Sequence, residues 1–218
     1  PSIAEESMVA RDCMLALHSG ADTVIQHISS GKSVELVRNA KAMGAKIHAE
    51  ATPHHFTLTD EAVIKHGSLA KMNPPLRSAE DKKALIEGIC DGIIDMIATD
   101  HAPHSMEEKT KGLEKSNMGV VGLETSFGAV NTYMVNAGHI SFEKLVEIMA
   151  INPRKIFGLP AGIKVGEKAD FAVVDREKEW VVNPQEFVSL GKFTPFEGVQ
   201  LTGDVVLTAY DGKAVYNN

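Results

Sequence analysis

The first half of the chain alternates between segments with helical and with strand-like spacing of apolar residues. Residues 4–19 contain helix-forming residues throughout, carry acids in the first turn and are followed by a glycine. Residues 30–44 place apolar side chains on one helical face. Residues 79–91 do the same, and they follow Ser78 and Asp81, which match a capping pair at a helix start. We therefore predict helices over these three ranges.

Three apolar segments lie between and after these helices and predict β-strands over residues 23–29, 46–55 and 93–99. Strands that alternate with helices indicate parallel units with right-handed crossovers. A sheet of only three such strands would expose apolar edges, which closure into a barrel removes. Because a (β/α)8 barrel takes about 250 residues, we expect an α/β fold that forms the later part of a TIM barrel.

The pattern changes toward the C-terminus. After two further predicted helices, at about 122–137 and 141–150, short alternating segments with turn signals between them begin beyond Gly162. They predict strands at 170–175, 179–182, 205–210 and 213–216. We expect residues 1–160 to form the barrel part and residues 161–218 to form a small all-β subdomain.

Composition excludes several classes of protein. The net charge is −7, and no cluster of Lys and Arg supplies a surface for nucleic acid or an anionic membrane. The two cysteines, Cys13 and Cys90, are far apart, so neither a disulfide framework nor a thiolate zinc site is expected. We expect reduced cysteines in a cytoplasmic protein without a membrane span. Because the chain begins at Pro1 and enters a helix directly, we also expect natural sequence upstream.

Candidate chemistry lies near the ends of the predicted strands. His27 lies in the predicted strand 23–29, and Asp100 follows the predicted strand 93–99. The C-terminal ends of barrel strands point to one mouth, where imidazole and carboxylate are good ligands for zinc or a similar divalent metal. The alternative is a structural role, which is the commoner role for a single histidine.

For other polar residues and for a glycine-containing segment, both a functional and a structural role are possible. His54 and His55 would point to opposite faces of a strand, so at most one of them could face the mouth. Asn73 precedes a proline that favours an extended backbone, which could present its amide to an imide-like substrate edge. Arg77 could bind a carboxylate or lie in solvent. The glycines within residues 116–124 permit either close backbone approach to a ligand or a plain hinge.

Longer motifs carry a resemblance to a known family. The segments PSIAEESMVARD, HISS, EATPHHF, KMNPPLRSAEDKKALIEG, IATDHAPHSMEEK, GVVGLETSF and TPFEGVQLTGDVVLTAYDGKAVY occur in this order. Together they resemble the dihydroorotases of the bacterial type I branch, within the amidohydrolase superfamily, over essentially the whole chain. The resemblance implies a metal-dependent TIM barrel, of which this chain would hold about strands six to eight, with a small β domain. It also implies interconversion of N-carbamoyl-aspartate and dihydroorotate in pyrimidine biosynthesis.

The resemblance also assigns roles to individual residues. His27 matches a metal ligand on the sixth barrel strand, and Asp100 matches a ligand of the other metal that serves as general base. His54 and His55 are not metal ligands by this comparison. The SNMG stretch departs from the family, which more often has a proline or aromatic residue before the glycine. Four further positions match substrate contacts of the family: Asn73, His104, Met118 and Gly119.

Cofactors and partners follow from the same resemblance. A complete site would hold two Zn²⁺ ions, with the remaining ligands upstream of Pro1, so we expect this chain alone to be inactive. The implied substrates are the small molecules dihydroorotate and N-carbamoyl-aspartate. A homodimer is expected, with possible association with aspartate carbamoyltransferase, and neither nucleic acid nor membrane is expected as a partner.

Two alternatives stay open at this point. Other cyclic-amide hydrolases, such as hydantoinases and allantoinases, resemble the chain in architecture but usually carry CPHY where this chain has TPHH. A non-catalytic scaffold related to dihydroorotase is the second alternative. Retention of His27, Asp100 and His104 argues against a scaffold, which need not keep them.

Overall fold

A computed structural model describes all residues, 1–218. The chain divides into two compact units. One comprises residues 1–123 with 184–195, and the other comprises residues 124–183 with 196–218. The predicted domain boundary between residues 160 and 161 stays a prediction. No helix of the chain combines the length and the apolar character that crossing a membrane requires.

Helices dominate the first unit. The long first helix, Ile3–Ser19, is followed by Gly20, whose left-handed φ of 70° closes the last turn. Ser78 caps the helix Ala79–Cys90, and its hydroxyl accepts the backbone N–H of Asp81, as the capping pair predicts. The helices of this unit are α1 (Ile3–Ser19), α2 (Gly31–Ala42), α3 (Pro53–Thr57), α4 (Glu61–His66), α5 (Ala79–Cys90), α6 (Met106–Lys109) and α7 (Gly112–Lys115), with 3₁₀ turns at Gly67–Ala70 and Pro184–Glu186.

The first unit contains a parallel sheet of three strands, β1 (Thr23–Ile25), β2 (Ile47–Ala51) and β3 (Met96–Ile97), in the order β1-β2-β3. The predicted parallel α/β arrangement is therefore confirmed. Buried side chains from α2, α5, the sheet and the segment between α5 and β3 contribute to the core of this unit. They include Val34, Val37, Ile47, Leu85, Ile89, Ile94 and Met96.

All three strands are shorter than predicted. β1 ends at Ile25, and the chain then turns at His27, which has a φ of 37°. β2 ends at Ala51 because Pro53 occupies the first turn of α3, where its fixed φ suits a helix and its missing N–H is not needed. His54 and His55 therefore lie on a helix, and the prediction that places them on a strand is wrong.

The second unit combines short helices with an antiparallel sheet. Helix α8 (Leu123–Val130), which starts at the last residue of the first unit, continues as a π-helix over Asn131–Asn136. Helix α9 (Phe142–Val146) continues through a π-helix at Glu147–Ile151 into α10 (Asn152–Ile156). The helices predicted at 122–137 and 141–150 thus occur, with wider turns inside them.

Three antiparallel strands complete the second unit in the order β4-β5-β6. They are β4 (Phe171–Val181), β5 (Gln200–Tyr210) and β6 (Lys213–Asn217). The two segments predicted at 170–175 and 179–182 belong to one strand, β4, with an irregularity between Asp175 and Glu179. The indole N–H of Trp180 donates to the Gly203 carbonyl at 2.9 Å, and the Asn131 amide donates to the Thr202 carbonyl at 2.8 Å.

Candidate active site

His27 and Asp100 share an unusual backbone conformation at the C-terminal edge of the parallel sheet. His27 follows β1 with a φ of 37°, and Asp100 follows β3 with a φ of 45°. Left-handed backbone is uncommon for residues other than glycine, and such strain concentrates at functional sites. In both cases the left-handed residue comes after the last residue of its strand, at the C-terminal end of the parallel sheet.

The two side chains interact electrostatically. Burial raises the pKa of the Asp100 carboxyl above its usual value, and the charge of the His27 imidazole opposes that rise. The Asp100 carboxylate has no hydrogen-bond partner within the chain. The Nδ1 atom of His27 is buried and likewise has no partner. The structure therefore brings these two predicted residues together, each with a free donor atom.

Glu50, on the strand between them, is a third member of the cluster, and the sequence pattern does not single it out. Its side chain accepts the backbone N–H of His27 at 3.2 Å. Burial raises the pKa of its carboxyl and the charge of Asp100 adds to that rise, whereas the hydrogen bond and the charge of His27 lower it. An acid inside the apolar strand IHAEA is the signal that could have identified it, because buried acids are rare without a role.

The donor atoms fit a divalent cation in part. An unpartnered imidazole nitrogen and an unpartnered carboxylate are suitable ligands for zinc. However, no three side chains of His, Cys, Asp or Glu in the chain are grouped closely enough to hold a metal ion. This chain can therefore supply some ligands of a metal site and needs others to complete one.

His55 has a structural role that the fold makes clear. Its Nδ1 lies 2.8 Å from the Thr52 hydroxyl, and its Nε2 lies 2.8 Å from the Pro74 carbonyl oxygen. Burial lowers the pKa of His55 to about 4, so the ring is neutral near pH 7. Nε2–H accordingly donates to Pro74 and Nδ1 accepts from Thr52. The absence of a free ring nitrogen supports the expectation that His55 is not a metal ligand.

His54 differs from its neighbour. Its Nε2 is buried without a partner, and burial together with the charges of His55 and His27 holds its pKa well below the usual value. A neutral His54 thus lies near His27 without any contact that assigns it a role.

Asn73 is exposed, and the following peptide bond to Pro74 is cis. Pro74 and His27 line one cavity of about 280 Å³, together with residues of α1 that include Glu5. Arg77 does bind a carboxylate, but it is an internal one. Its guanidinium lies 3.3 Å from Glu5.

His104, Met118 and Gly119 lie close together, and their role as substrate contacts stays a prediction. His104 Nε2 lies 3.0 Å from the Met118 carbonyl oxygen and donates to it. Gly119 has a φ of 133°, and a Cβ placed there would lie 2.4 Å from the Cβ of Ala102. Only glycine fits this position. The neighbouring His101 has a different role, because its Nδ1 accepts the Gly122 N–H at 3.2 Å.

Residues 6–215 match the sequence pattern that defines the Amidohydrolase family. The chain belongs to this family. Amidohydrolases are generally metal-dependent hydrolases, which agrees with the imidazole and carboxylate at the sheet edge.

Several relatives of this amidohydrolase chain are named dihydroorotase, and two of them illustrate the similarity. The chain is 52% identical over 217 residues to a dihydroorotase of Clostridioides difficile (strain 630), covering 99% of this chain and 51% of the relative. It is 50% identical over 216 residues to a dihydroorotase of Thermoanaerobacter sp. (strain X514), covering 99% of this chain and 50% of the relative. The chain thus spans about half the length of the relatives it matches.

Solved structures show the same fold. An L-hydantoinase (dihydropyrimidinase) from Arthrobacter aurescens superposes with a TM-score of 0.94 at 34% identity, over 100% of this chain and 49% of that chain. A dihydropyrimidinase from Brevibacillus agri NCHU1002 gives a TM-score of 0.94 at 24% identity, over 100% of this chain and 50% of the other. The amidohydrolase fold, α/β with a small antiparallel sheet, is therefore established for this chain.

Proposed function

We propose that the complete protein is a dihydroorotase, which reversibly hydrolyses the cyclic amide of dihydroorotate to N-carbamoyl-aspartate. The observation that carries this proposal is the identity of 52% to a dihydroorotase across 99% of the chain. The identity to the hydantoinase, at 34%, is lower. Arrangement of His27, Glu50 and Asp100 at one sheet edge supports a hydrolytic site.

We assign His27 and Asp100 as ligands of divalent metal, one for each of two Zn²⁺ ions, with the other ligands contributed by the part of the protein outside this chain. When bound, such metal polarises the amide carbonyl and makes water acidic enough to act as a nucleophile near neutral pH. The free Nδ1 of His27 and the unpartnered Asp100 carboxylate support this assignment.

Asp100 serves as the general base in this proposal. Hydrolysis adds water across the ring amide: a bond forms between the water oxygen and the carbonyl carbon, and the bond from that carbon to the ring nitrogen breaks. Asp100 accepts the proton of the attacking water and returns it to the departing nitrogen.

We assign the orientation of the substrate to the segments that carry Asn73, His104 and Met118. His104 is assigned to the substrate carboxylate, which would replace the Met118 carbonyl as the acceptor of its Nε2–H, and the exposed Asn73 amide is assigned to the ring. The N–H of Gly119 already donates to the Lys71 carbonyl at 2.9 Å, and the Met118 carbonyl already accepts from His104. The Met118 N–H has no such partner, so we assign it as the backbone donor to the ring.

We further propose that β1, β2 and β3 are about strands six to eight of a (β/α)8 barrel completed by the missing half. The order β1-β2-β3 in a parallel sheet supports this placement. A homodimer in the cytoplasm, with possible association with aspartate carbamoyltransferase, is also proposed from the resemblance to dihydroorotases.

A direct assay separates the candidates. The complete protein, supplied with Zn²⁺, should hydrolyse dihydroorotate with a much higher kcat/KM than hydantoin or allantoin. Preference for hydantoin would favour the second candidate, which the structural likeness to L-hydantoinase supports. No turnover of any of the three would favour the non-catalytic scaffold and exclude a dihydroorotase.

A further inference from the structure

Lys109 is a buried lysine whose ammonium donates hydrogen bonds to three backbone carbonyls. It lies in α6 and its exposed fraction is 0%. Its Nζ donates to the carbonyl oxygens of Lys71 at 2.9 Å, Asn117 at 2.9 Å and Gly119 at 2.8 Å. An ammonium group has three N–H donors, so each donor has one acceptor.

No carboxylate balances this charge. The one charged group that acts on Lys109 is Lys71, which repels it, and burial together with that repulsion lowers the pKa of Lys109 to about 8. The Phe193 ring lies 5.2 Å from Nζ and offers its face. Burial of an ammonium is costly unless its hydrogen bonds are satisfied, so the three carbonyls are what makes the position tolerable.

The three carbonyls belong to the segments that carry the proposed substrate contacts. Asn117 and Gly119 flank Met118, whose N–H is free. Lys71 precedes Asn73 by two residues, and its carbonyl also accepts the Gly119 N–H. One ammonium therefore ties the Met118 turn to the segment that carries the Asn73 amide.

The rest of the loop adds to this attachment without replacing it. Lys71 donates from its own Nζ to the Ser116 carbonyl at 2.7 Å, and Asn117 donates its backbone N–H to Glu108 at 3.1 Å. These contacts hold the two ends of the loop. Lys109 alone binds the carbonyls on both sides of Met118.

We propose that Lys109 is a positioning residue for dihydroorotate binding, which holds the Met118 N–H and the Asn73 amide in a fixed relation through the carbonyls of Lys71, Asn117 and Gly119. The inference rests on the proposed function. Lys109 touches no substrate itself, and it acts through the backbone that does.

The test uses Lys109→Met in the complete protein, because methionine fills much of the same volume without donors. We expect KM for dihydroorotate to rise about tenfold or more, because the groups that orient the substrate are no longer held in place. The fall in kcat should be smaller, because the general base, Asp100, is retained. Metal content should be unchanged. The matched control is Lys111→Met, an exposed lysine on the same segment, which should leave both constants unchanged.

Hydrogen exchange provides a readout that does not depend on turnover. The Gly119 amide, which donates to Lys71, should exchange faster in Lys109→Met than in the wild type and in Lys111→Met. If the wild type does not hydrolyse dihydroorotate, the proposed function fails, while faster exchange of Gly119 would still support the attachment. Unchanged exchange together with an unchanged KM would overturn the positioning role.

A second variant guards against misfolding. Lys109→Gln replaces the ammonium by an amide with two N–H donors and should give a KM between those of the wild type and Lys109→Met. If neither variant folds, Lys109 serves stability alone and the positioning role is overturned.

Discussion

The backbone N–H of His27 donates to the carboxylate of Glu50 over 3.2 Å and so ties the turn after β1 to the neighbouring strand. The bond is made where His27 takes its left-handed φ of 37°. Glu50 also lies close enough to Asp100 for the two carboxylates to influence each other. Glu50 therefore affects both the turn that positions His27 and the electrostatic environment of Asp100.

Glu50→Gln removes the charge and keeps an oxygen that can accept the His27 N–H. Since Glu50 holds the backbone of His27 and its charge acts on Asp100, we expect kcat/KM for dihydroorotate to fall by about tenfold to a hundredfold, as for residues that orient metal ligands. Steady-state kinetics and metal content of the complete protein measure the effect. Glu35→Gln, on an exposed acid of α2, is the matched control. Equal activity of both variants would contradict the role of Glu50.

Gly119→Ala should disrupt the loop that carries Met118. The added Cβ would lie 2.4 Å from that of Ala102, in a backbone with a φ of 133°. We expect kcat/KM to fall by more than about tenfold, because a misplaced contact loses orientation. Gly112→Ala has a φ of 80° but nothing within 4 Å, so it shares the backbone strain without the collision. A similar loss in both variants would assign the effect to strain alone.

His55 should make the protein sensitive to acid. Its pKa is about 4 in the folded protein against the usual 6.5, so the unfolded chain binds a proton that the folded chain excludes between these values. The stabilisation by neutral His55 is thus present above pH 6.5 and is lost as pH falls toward 4, at a cost of about 3 kcal/mol in full.

Denaturant unfolding of the complete protein at pH 7.5 and pH 5 tests this linkage. The wild type should lose more free energy of unfolding between these pH values than His55→Gln, by about 2 kcal/mol. His18→Gln, on an exposed histidine at the end of α1, is the control. A pH dependence of His55→Gln identical to that of the wild type would refute the assignment of a neutral ring.

Ser78→Ala should destabilise the first unit by about 1 kcal/mol, because the hydroxyl accepts the Asp81 N–H at the start of α5. Asp81 in turn accepts the Gly31 N–H at 2.8 Å, so the cap also supports the start of α2. Thermal or denaturant unfolding measures the loss. Ser7→Ala, on an exposed serine inside α1, should be neutral or slightly stabilising.

The 218-residue chain by itself should be inactive and bind Zn²⁺ weakly, because no three suitable side chains are grouped in it. Elemental analysis after dialysis and a dihydroorotate assay measure this. Tight stoichiometric zinc in the isolated chain would contradict the assignment of one ligand to each ion.

Local signals account for the parts of the fold that were predicted well. The cap at Ser78, the stop at Gly20 and the apolar spacing of α2 and α5 act within a few residues, so they are legible in the sequence. The strand ends were predicted less well, because β1 ends at Ile25 and the backbone turns at His27, although the Ile28 N–H still donates to the Glu50 carbonyl of β2. His54 and His55 were misplaced for a related reason: Pro53 starts a helix inside what looks like one strand-like run.

Residue types and their order alone determined the alternation of helices with parallel strands and the likeness to dihydroorotases. They also determined that His27 and Asp100 lie near strand ends. Only the tertiary structure decided that Glu50 lies between those two residues and that Lys109 is buried among the carbonyls of Lys71, Asn117 and Gly119. The physical reason is distance along the chain. Glu50 is 23 residues from His27 and Lys109 is 38 from Lys71, and such contacts exist only once the elements between them have packed.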